Sequence, residues 1–371
     1  MKKIAIILGT RPEIIKLSPV IRLLQKQKKP FFIIHTGQHY SYPLDEIFFR
    51  DLALPAPRWK FTRSSDLGPN RHDALIQWMK NDCIKGVLEK EKPSAVLVQG
   101  DTDTVRAGAE AVSEVGGILL GHVEAGLRSY DDNMPEERNR IIADRLSDFL
   151  FAPTDTARKI LEKEPLKKDA RIKMTGNTIV DAVFQNLELA EKKAAADKRR
   201  KLDRYALVTL HRPESVDNRE RLENILHALK TLVREGVVDG VQFPVHPRTE
   251  KRLMEFGIER SNLIHAKIST PHPTGFLDFL WWEKNADIIL TDSGGVQEEA
   301  CILKVPCVTL RTTTERPETV ALGANVLAGY DPSQIAEKTK QMINRSKDWP
   351  NPFGDGRSSE RILGILNGGT G

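Results

Sequence analysis

Short apolar runs alternate with stretches of helical periodicity from residue 4 to residue 310, and this alternation dictates strand–helix–strand units and parallel sheets. The runs 4–8 (IAIIL), 31–34 (FFII), 95–98 (AVLV), 117–120 (GILL), 149–151 (FLF) and 172–174 (IKM) form a first series. A second series comes after a charged stretch ending near Lys201: 206–210 (ALVTL), 241–245 (VQFPV), 288–290 (IIL) and 305–310 (VPCVTL). The expected fold class is α/β, with two doubly wound Rossmann-like domains facing a cleft. The expected domains are 1–175 and 176–353, with a C-terminal helix in 354–371 crossing back to complete the first. At 371 residues, the chain is long enough for two such cores.

The residues at the end of each run point to chemistry. Polar, glycine-bearing segments recur at the carboxyl ends of the strands, where open α/β sheets place their ligand crevice. The richest is 121–140, GHVEAGLRSYDDNMPEERNR, which puts Glu124, Arg128, Glu136 and Glu137 just after the run 117–120. Carboxylates gathered there suit a substrate better than a core. For Glu136 and Glu137 a second reading stays open, because PEER also suits the first turn of a helix, where the macrodipole favours acids.

Composition excludes several classes. No apolar run approaches the ~20 residues of a membrane span. The start, MKKIAIILGTRPE, has a basic end and an apolar run that mimic a signal peptide, but the run is too short and leads into a turn and helix instead of a small-residue cleavage site. Cys83, Cys301 and Cys307 are odd in number and form no CxxC pair, so neither a disulfide framework nor a zinc site is indicated, and a cytoplasmic setting fits. The net charge of +5 raises the question of nucleic acid, but the densest basic run, 192–201 (KKAAADKRRK), lacks interleaved aromatics and reads as a solvated helix face or linker. His35 and His39 are spaced like metal ligands, yet no acid sits at metal-site spacing, so no metal is expected.

Several residues are candidates by chemistry alone. Arg11 and Lys16 lie at the start of a helix opened by Pro12, where cations oppose the macrodipole unless an anion docks between them. Ser293, Gly294 and Gly295 turn a strand into a helix and can offer backbone N–H groups to phosphate, while Glu299, about a turn further on, can accept both hydroxyls of a ribose. A plain helix cap is the alternative there. Neither a Walker A sequence nor a GxGxxG fingerprint occurs, which removes the usual support for ATP hydrolysis or nicotinamide binding. His211, with Arg212 beside it, can offset charge on a departing diphosphate if it stays protonated near the phosphates. Asp101 and Glu124 end two runs that should be adjacent strands, so each is expected to oppose the other's ionisation, one serving as acid and the other as base. Alternatively, Asp101 caps the next helix.

Together these segments resemble the non-hydrolysing UDP-N-acetylglucosamine 2-epimerases: GTRPEIIKLSPVI at 9–21, GQHY at 37–40, QGDT at 99–102, GHVEAGLRS at 121–129, MPEERNR at 134–140, TGNTIVDAV at 175–183, HRPE at 211–214, TDSGGVQEEA at 291–300, TTTERPETV at 312–320 and NPFGDG at 351–356. The resemblance implies a glycosyltransferase-B-like fold, a homodimer, a UDP-sugar substrate and no cofactor. It implies interconversion of UDP-GlcNAc and UDP-ManNAc by elimination of UDP to 2-acetamidoglucal and re-addition. It assigns proton transfer to Asp101, Glu124 and Glu136, help for the leaving UDP to His211, and UDP binding to Arg11, Lys16, His211, Phe279, Ser293, Gly294, Gly295, Glu299 and Arg316. An epimerase of a decorated sugar such as a UDP-2,3-diacetamido-glucuronic acid, or a glycosyltransferase of the same fold, are the alternatives. Tyr40-Ser41 and the segment 66–81 (DLGPNRHDALIQWMKN) depart from the bacterial pattern, so a nearly hyperbolic dependence of rate on UDP-GlcNAc is expected.

Overall fold

The computed structural model describes residues 3–38, 42–62, 71–131, 134–197, 203–271 and 275–368. His39, Tyr40, Ser41, the segment 66–70 and Lys198 to Lys201, all of interest in the sequence, lie outside these residues. The chain divides into two units, one of Met1–Gln185 with Phe353–Gly371 and one of Asn186–Pro352.

The first unit carries seven strands: β1 (Ile4–Leu8), β2 (Phe31–His35), β3 (Trp59–Lys60), β4 (Ala95–Gln99), β5 (Leu119–Val123), β6 (Phe149–Ala152) and β7 (Arg171–Met174). They pair in parallel in the order β3-β2-β1-β4-β5-β6-β7. β1 and β4 are buried along their whole length, which is why they read as continuous apolar runs rather than alternating ones. The strand order reverses direction between β1 and β4, and in such sheets the crevice for a ligand opens at this switch point.

One strand differs from its expected position. β5 begins at Leu119 and runs on through Gly121, His122 and Val123, while Gly117 is exposed and Leu119 is 46% exposed. A histidine can occupy this central strand because it is fully satisfied: Nδ1 meets Asp144 Oδ1 at 2.7 Å and Nε2 meets the Gly100 carbonyl at 2.8 Å. Buried polar groups are tolerated only when paired in this way. Leu97 and Phe151 lie so close to Gly121 that a Cβ there would meet them at 2.8 and 3.0 Å.

The C-terminal helix Ser358–Leu366 packs against the helix Arg11–Lys26 of the first unit. Its start is fixed by Asp181, whose carboxylate accepts from the backbone N–H groups of Ser358 (3.1 Å) and Ser359 (2.9 Å) and from the Ser359 hydroxyl (2.5 Å). Asp181 lies in the helix Thr178–Ala196, so the division between units falls inside that helix, after Gln185, rather than at residue 175. Gly176 makes the approach possible: its φ is +82°, and a Cβ would stand 2.8 Å from Ser358 Oγ and 3.0 Å from the Phe353 carbonyl.

The second unit has β8 (Tyr205–Thr209), β9 (Gly240–Gln242), β10 (Ile268–Ser269), β11 (Ile288–Thr291), β12 (Cys307–Thr309) and β13 (Asn325–Leu327), again all parallel, in the order β10-β9-β8-β11-β12-β13. The switch point falls between β8 and β11. Its core gathers Val208, Leu226, Leu229, Phe243, Leu290 and Val308.

Candidate functional site

At the β1–β4 switch point the first feature is Glu13, to which the sequence motif alone assigns no role. Its Oε2 accepts from the backbone N–H groups of Gly9 (2.6 Å) and Thr10 (2.8 Å), and its Oε1 accepts from the Thr102 hydroxyl, joining the ends of the two strands. The pattern Thr10-x-x-Glu13 ahead of an apolar helix is the signal that could have found it. Burial pushes the Glu13 carboxyl up from 4.5 to about 7, against the lowering effect of its three donors. A carboxyl raised in the folded state holds its stabilising proton below pH 4.5 and loses that contribution as pH rises through about 7. The wild type is therefore expected to lose about 3 kcal/mol more unfolding stability between pH 4.5 and 8 than Glu13→Gln, measured by urea unfolding; equal losses would contradict the assignment.

Glu124 comes directly after β5, beside the end of β4, where Gln99 pairs with Val123. It is buried, and its Oε2 accepts from Lys16 Nζ and from Gln99 Nε2, each at 2.6 Å. Its φ of +69° is left-handed, a conformation that costs a side-chain-bearing residue roughly 1–2 kcal/mol. Lys16, expected from sequence to be a diphosphate ligand, is here the counter-charge of Glu124.

Asp101 is held from the far side. Its Oδ2 stands 2.5 Å from Arg140, and its carbonyl accepts from Asn139 at 3.0 Å. Thr102, not Asp101, caps the helix Asp103–Val115. Asp101 is paired with the buried Arg140 and Glu124 with the buried Lys16, and the nearby carboxyl that burial raises is Glu13.

The acids of the PEER segment separate. Both lie in the first turn of the helix Pro135–Leu146, as the helix-opening alternative requires. Glu137 is buried and structural, taking the Ser129 N–H and hydroxyl (both 2.9 Å), the Tyr130 N–H (3.3 Å) and Arg140 (2.6 Å). Glu136 is only half-buried at the same helix start. Arg128 turns inward to Asp144 at 2.8 Å and Glu164 at 3.3 Å. Arg11 lies 3.6 Å from Asp45, which also stands 3.5 Å from His35. His35 thus has an acidic neighbour that its sequence spacing does not reveal; among the described residues no group of three or more potential metal ligands occurs.

In the second unit the switch point carries His211 and Asp292. Asp292, missed from sequence, is buried and accepts from the backbone N–H groups of His211 and Arg212, each at 2.9 Å, and its Oδ1 meets His211 Nδ1 at 3.0 Å. Burial would raise its carboxyl, but His211 and the two N–H groups outweigh that and hold it below the ordinary carboxylate range. The His246 ring lies 5.5 Å from that of His211.

Beside this pair, Ser293 precedes the helix Gly294–Leu303, and Gly294 lies close to Arg316 and Glu315. Arg316 is held by Glu298 at 2.5 Å, and Glu315 by Arg311 at 2.8 Å. Burial opposes ionisation of Glu315, yet Arg311, Arg316 and Arg212 bring its carboxyl to about 2. Arg311, Arg316 and Arg212 gather around Glu315 beside a helix N-terminus, with Glu298 and Glu214 as further counter-charges, and guanidinium and N–H donors of this kind can meet phosphate oxygens. Glu299 is buried in the same helix, and Phe279 is half-buried in the helix Phe276–Asn285.

Parallel sheets with paired carboxylates and cations at one switch point, and an imidazole–carboxylate pair beside an arginine-lined helix start at another, mark a doubly wound α/β protein with charged groups where such folds open their crevices. The sequence profile for UDP-N-acetylglucosamine 2-epimerase matches residues 22–367. A UDP-N-acetylglucosamine 2-epimerase from Methanocaldococcus jannaschii is 50% identical, with 99% of each chain covered. The crystal structure of that organism's UDP-GlcNAc 2-epimerase in complex with UDP-GlcNAc and UDP has a TM-score of 0.90, covering 99% of this chain and 100% of the other at 50% identity. A UDP-2,3-diacetamido-2,3-dideoxy-D-glucuronate 2-epimerase from Pseudomonas aeruginosa is 37% identical over 98% of this chain and 99% of its own. The chain belongs to the UDP-N-acetylglucosamine 2-epimerase family, and its fold is glycosyltransferase-B-like.

Proposed function

We propose that the chain is a non-hydrolysing epimerase that interconverts UDP-GlcNAc and UDP-ManNAc. The C2 proton of the hexose is not beside a carbonyl and is only feebly acidic, so a base alone does not remove it. Loss of that proton together with cleavage of the C1–O bond releases UDP and leaves 2-acetamidoglucal. Return of UDP to C1 and of a proton to the opposite face of C2 gives the epimer, with no net redox change.

In this reading the first unit supplies the proton-transfer groups Asp101, Glu124 and Glu136. The second supplies the nucleotide-binding groups His211, Phe279, Ser293, Gly294, Gly295, Glu299 and Arg316, and Arg11 and Lys16 add positive charge. Lys16 has to exchange Glu124 for phosphate to do so. Preorganised cations and N–H dipoles act where charge develops on the departing diphosphate, which is the largest expected share of the barrier lowering. The observation that carries the proposal is Glu124, fixed by Lys16 and Gln99 in a left-handed backbone at a strand end.

The relative at 50% identity favours an N-acetylglucosamine substrate over the diacetamido-glucuronate of the 37% relative. That first relative was crystallised with both UDP-GlcNAc and UDP, so the hyperbolic rate curve expected from Tyr40-Ser41 and the segment 66–81 is to be measured with and without added UDP. A cytoplasmic homodimer supplying ManNAc units for polysaccharide synthesis is the setting we propose; no described helix is long and apolar enough to cross a membrane. Incubation with UDP-GlcNAc in heavy water, with NMR at C2, tests the reading. Deuterium at C2 of newly formed UDP-ManNAc is expected, and epimer formed with its original proton would reject it.

A further inference from the structure

Glu283 is a buried acid that the reaction does not use. It lies near the end of the helix Phe276–Asn285, is completely buried, and has no hydrogen-bond donor on either carboxyl oxygen. The helix Gly294–Leu303 packs against the helix that carries Glu283, and Glu299 is the acid whose carboxyl acts on it. The other titratable neighbours are Tyr205 and Cys307, both kept neutral by burial, and the Tyr205 hydroxyl is already committed to the Trp282 carbonyl at 2.5 Å. No cation is among these described neighbours.

Two carboxyls facing each other cannot both be acceptors without a donor between them. Burial first, and then the charge of Glu299, push the Glu283 carboxyl well above its ordinary value. The acid form supplies the missing donor, and its O–H to a carboxylate is a strong, short type of hydrogen bond. We propose that Glu283 is a positioning residue for the ribose subsite, donating a hydrogen bond to the Glu299 carboxylate and so fixing the acceptor that the ribose hydroxyls meet. The inference rests on the reading of Glu299 as the ribose ligand. Glu283 itself does not touch the nucleotide; its part is to hold Glu299.

Calorimetric titration of the full chain with UDP and with 2′,3′-dideoxy-UDP tests this, using wild type, Glu283→Gln and Glu283→Leu. Wild type is expected to prefer UDP by about tenfold or more. Glu283→Gln, whose amide N–H replaces the O–H donor, retains that preference within about threefold, whereas Glu283→Leu lowers UDP affinity about tenfold and leaves the dideoxy affinity unchanged. The unchanged dideoxy affinity also shows that the variant is folded. Wild-type discrimination in Glu283→Leu, or an equal loss of both ligands, overturns the proposal and leaves the role of Glu299 standing. A wild type that binds both ligands alike removes the Glu299 reading itself, and the proposal with it.

Discussion

Replacing Glu124 by glutamine is expected to lower kcat by about 10³-fold or more while UDP binding stays within about threefold of wild type. Glutamine keeps the shape and can still accept from Gln99, but it cannot take up or deliver the C2 proton. The substitution also removes the carboxylate that lies 2.6 Å from the nearly buried Lys16 ammonium. Breaking a buried ion pair costs about 3–5 kcal/mol, so some loss of stability is expected too. The two effects separate in Lys16→Met/Glu124→Gln, which removes the other half of the ion pair as well: stability should recover, while turnover stays absent. UDP affinity is the control for Glu124→Gln alone, since the proposed nucleotide ligands of the second unit are untouched, whereas the double variant also takes the Lys16 charge from the diphosphate. Asp101→Asn should show a comparable loss of kcat, because the Arg140 contact at 2.5 Å holds the carboxylate in place but cannot replace its proton chemistry. Near-normal kcat in both single variants would remove the acid–base assignment.

The second large effect concerns His211 and the carboxylate behind it. His211→Ala is expected to slow UDP departure about 10²–10³-fold with a smaller change in binding. Asp292→Asn should come close to this, although Asp292 is proposed to touch no substrate. Its carboxylate fixes the imidazole through Nδ1 and accepts two backbone N–H groups, a set that an amide cannot satisfy in full. A triad aspartate replaced by asparagine shows how costly loss of the correct tautomer can be. Rapid-quench measurement of UDP release, set against equilibrium UDP affinity, distinguishes a slowed step from weakened binding. Wild-type release rates in Asp292→Asn would show that the pair is structural only.

Features that depend on neighbours in the chain are legible in the sequence. Strands such as Ile4–Leu8 and Ala95–Gln99 are buried on both faces and announce themselves as apolar runs, and the polar ends beyond them carry Arg11, Asp101 and Glu124. The short strands Trp59–Lys60, Ile268–Ser269 and Asn325–Leu327 escape notice because two or three residues at or near a sheet edge are too few to show a pattern. The sequence places β5 too early because His122 looks like the end of an apolar run. Its partner Asp144 lies 22 residues further on, and only the fold shows that the histidine is satisfied inside the strand.

The same limit hides the supporting residues. Gln99 and Asp292 stand inside the motifs QGDT and TDSGGVQEEA, but nothing in their spacing shows that Gln99 donates to Glu124 or that Asp292 holds His211. Glu13 depends on Thr102, 89 residues away. Lys16 and Glu124 each stand out, but their contact across 108 residues does not, so the sequence assigns Lys16 to phosphate alone. Long-range pairing decides which of several plausible charges faces a substrate and which braces the structure. Arg128 and Glu137, which share one segment with Glu124, are braces.

The measurement that reaches the central proposal most directly is positional isotope exchange. UDP-GlcNAc carrying ¹⁸O in the bridge between C1 and the β-phosphorus is incubated with the protein, and the recovered nucleotide sugars are analysed by ³¹P NMR. Elimination and re-addition free the diphosphate to rotate before it returns, so the label is expected to appear in non-bridging positions at a rate comparable with epimerisation. Epimer formed with all its label still in the bridge would contradict cleavage of the C1–O bond and the roles assigned to His211 and its neighbours.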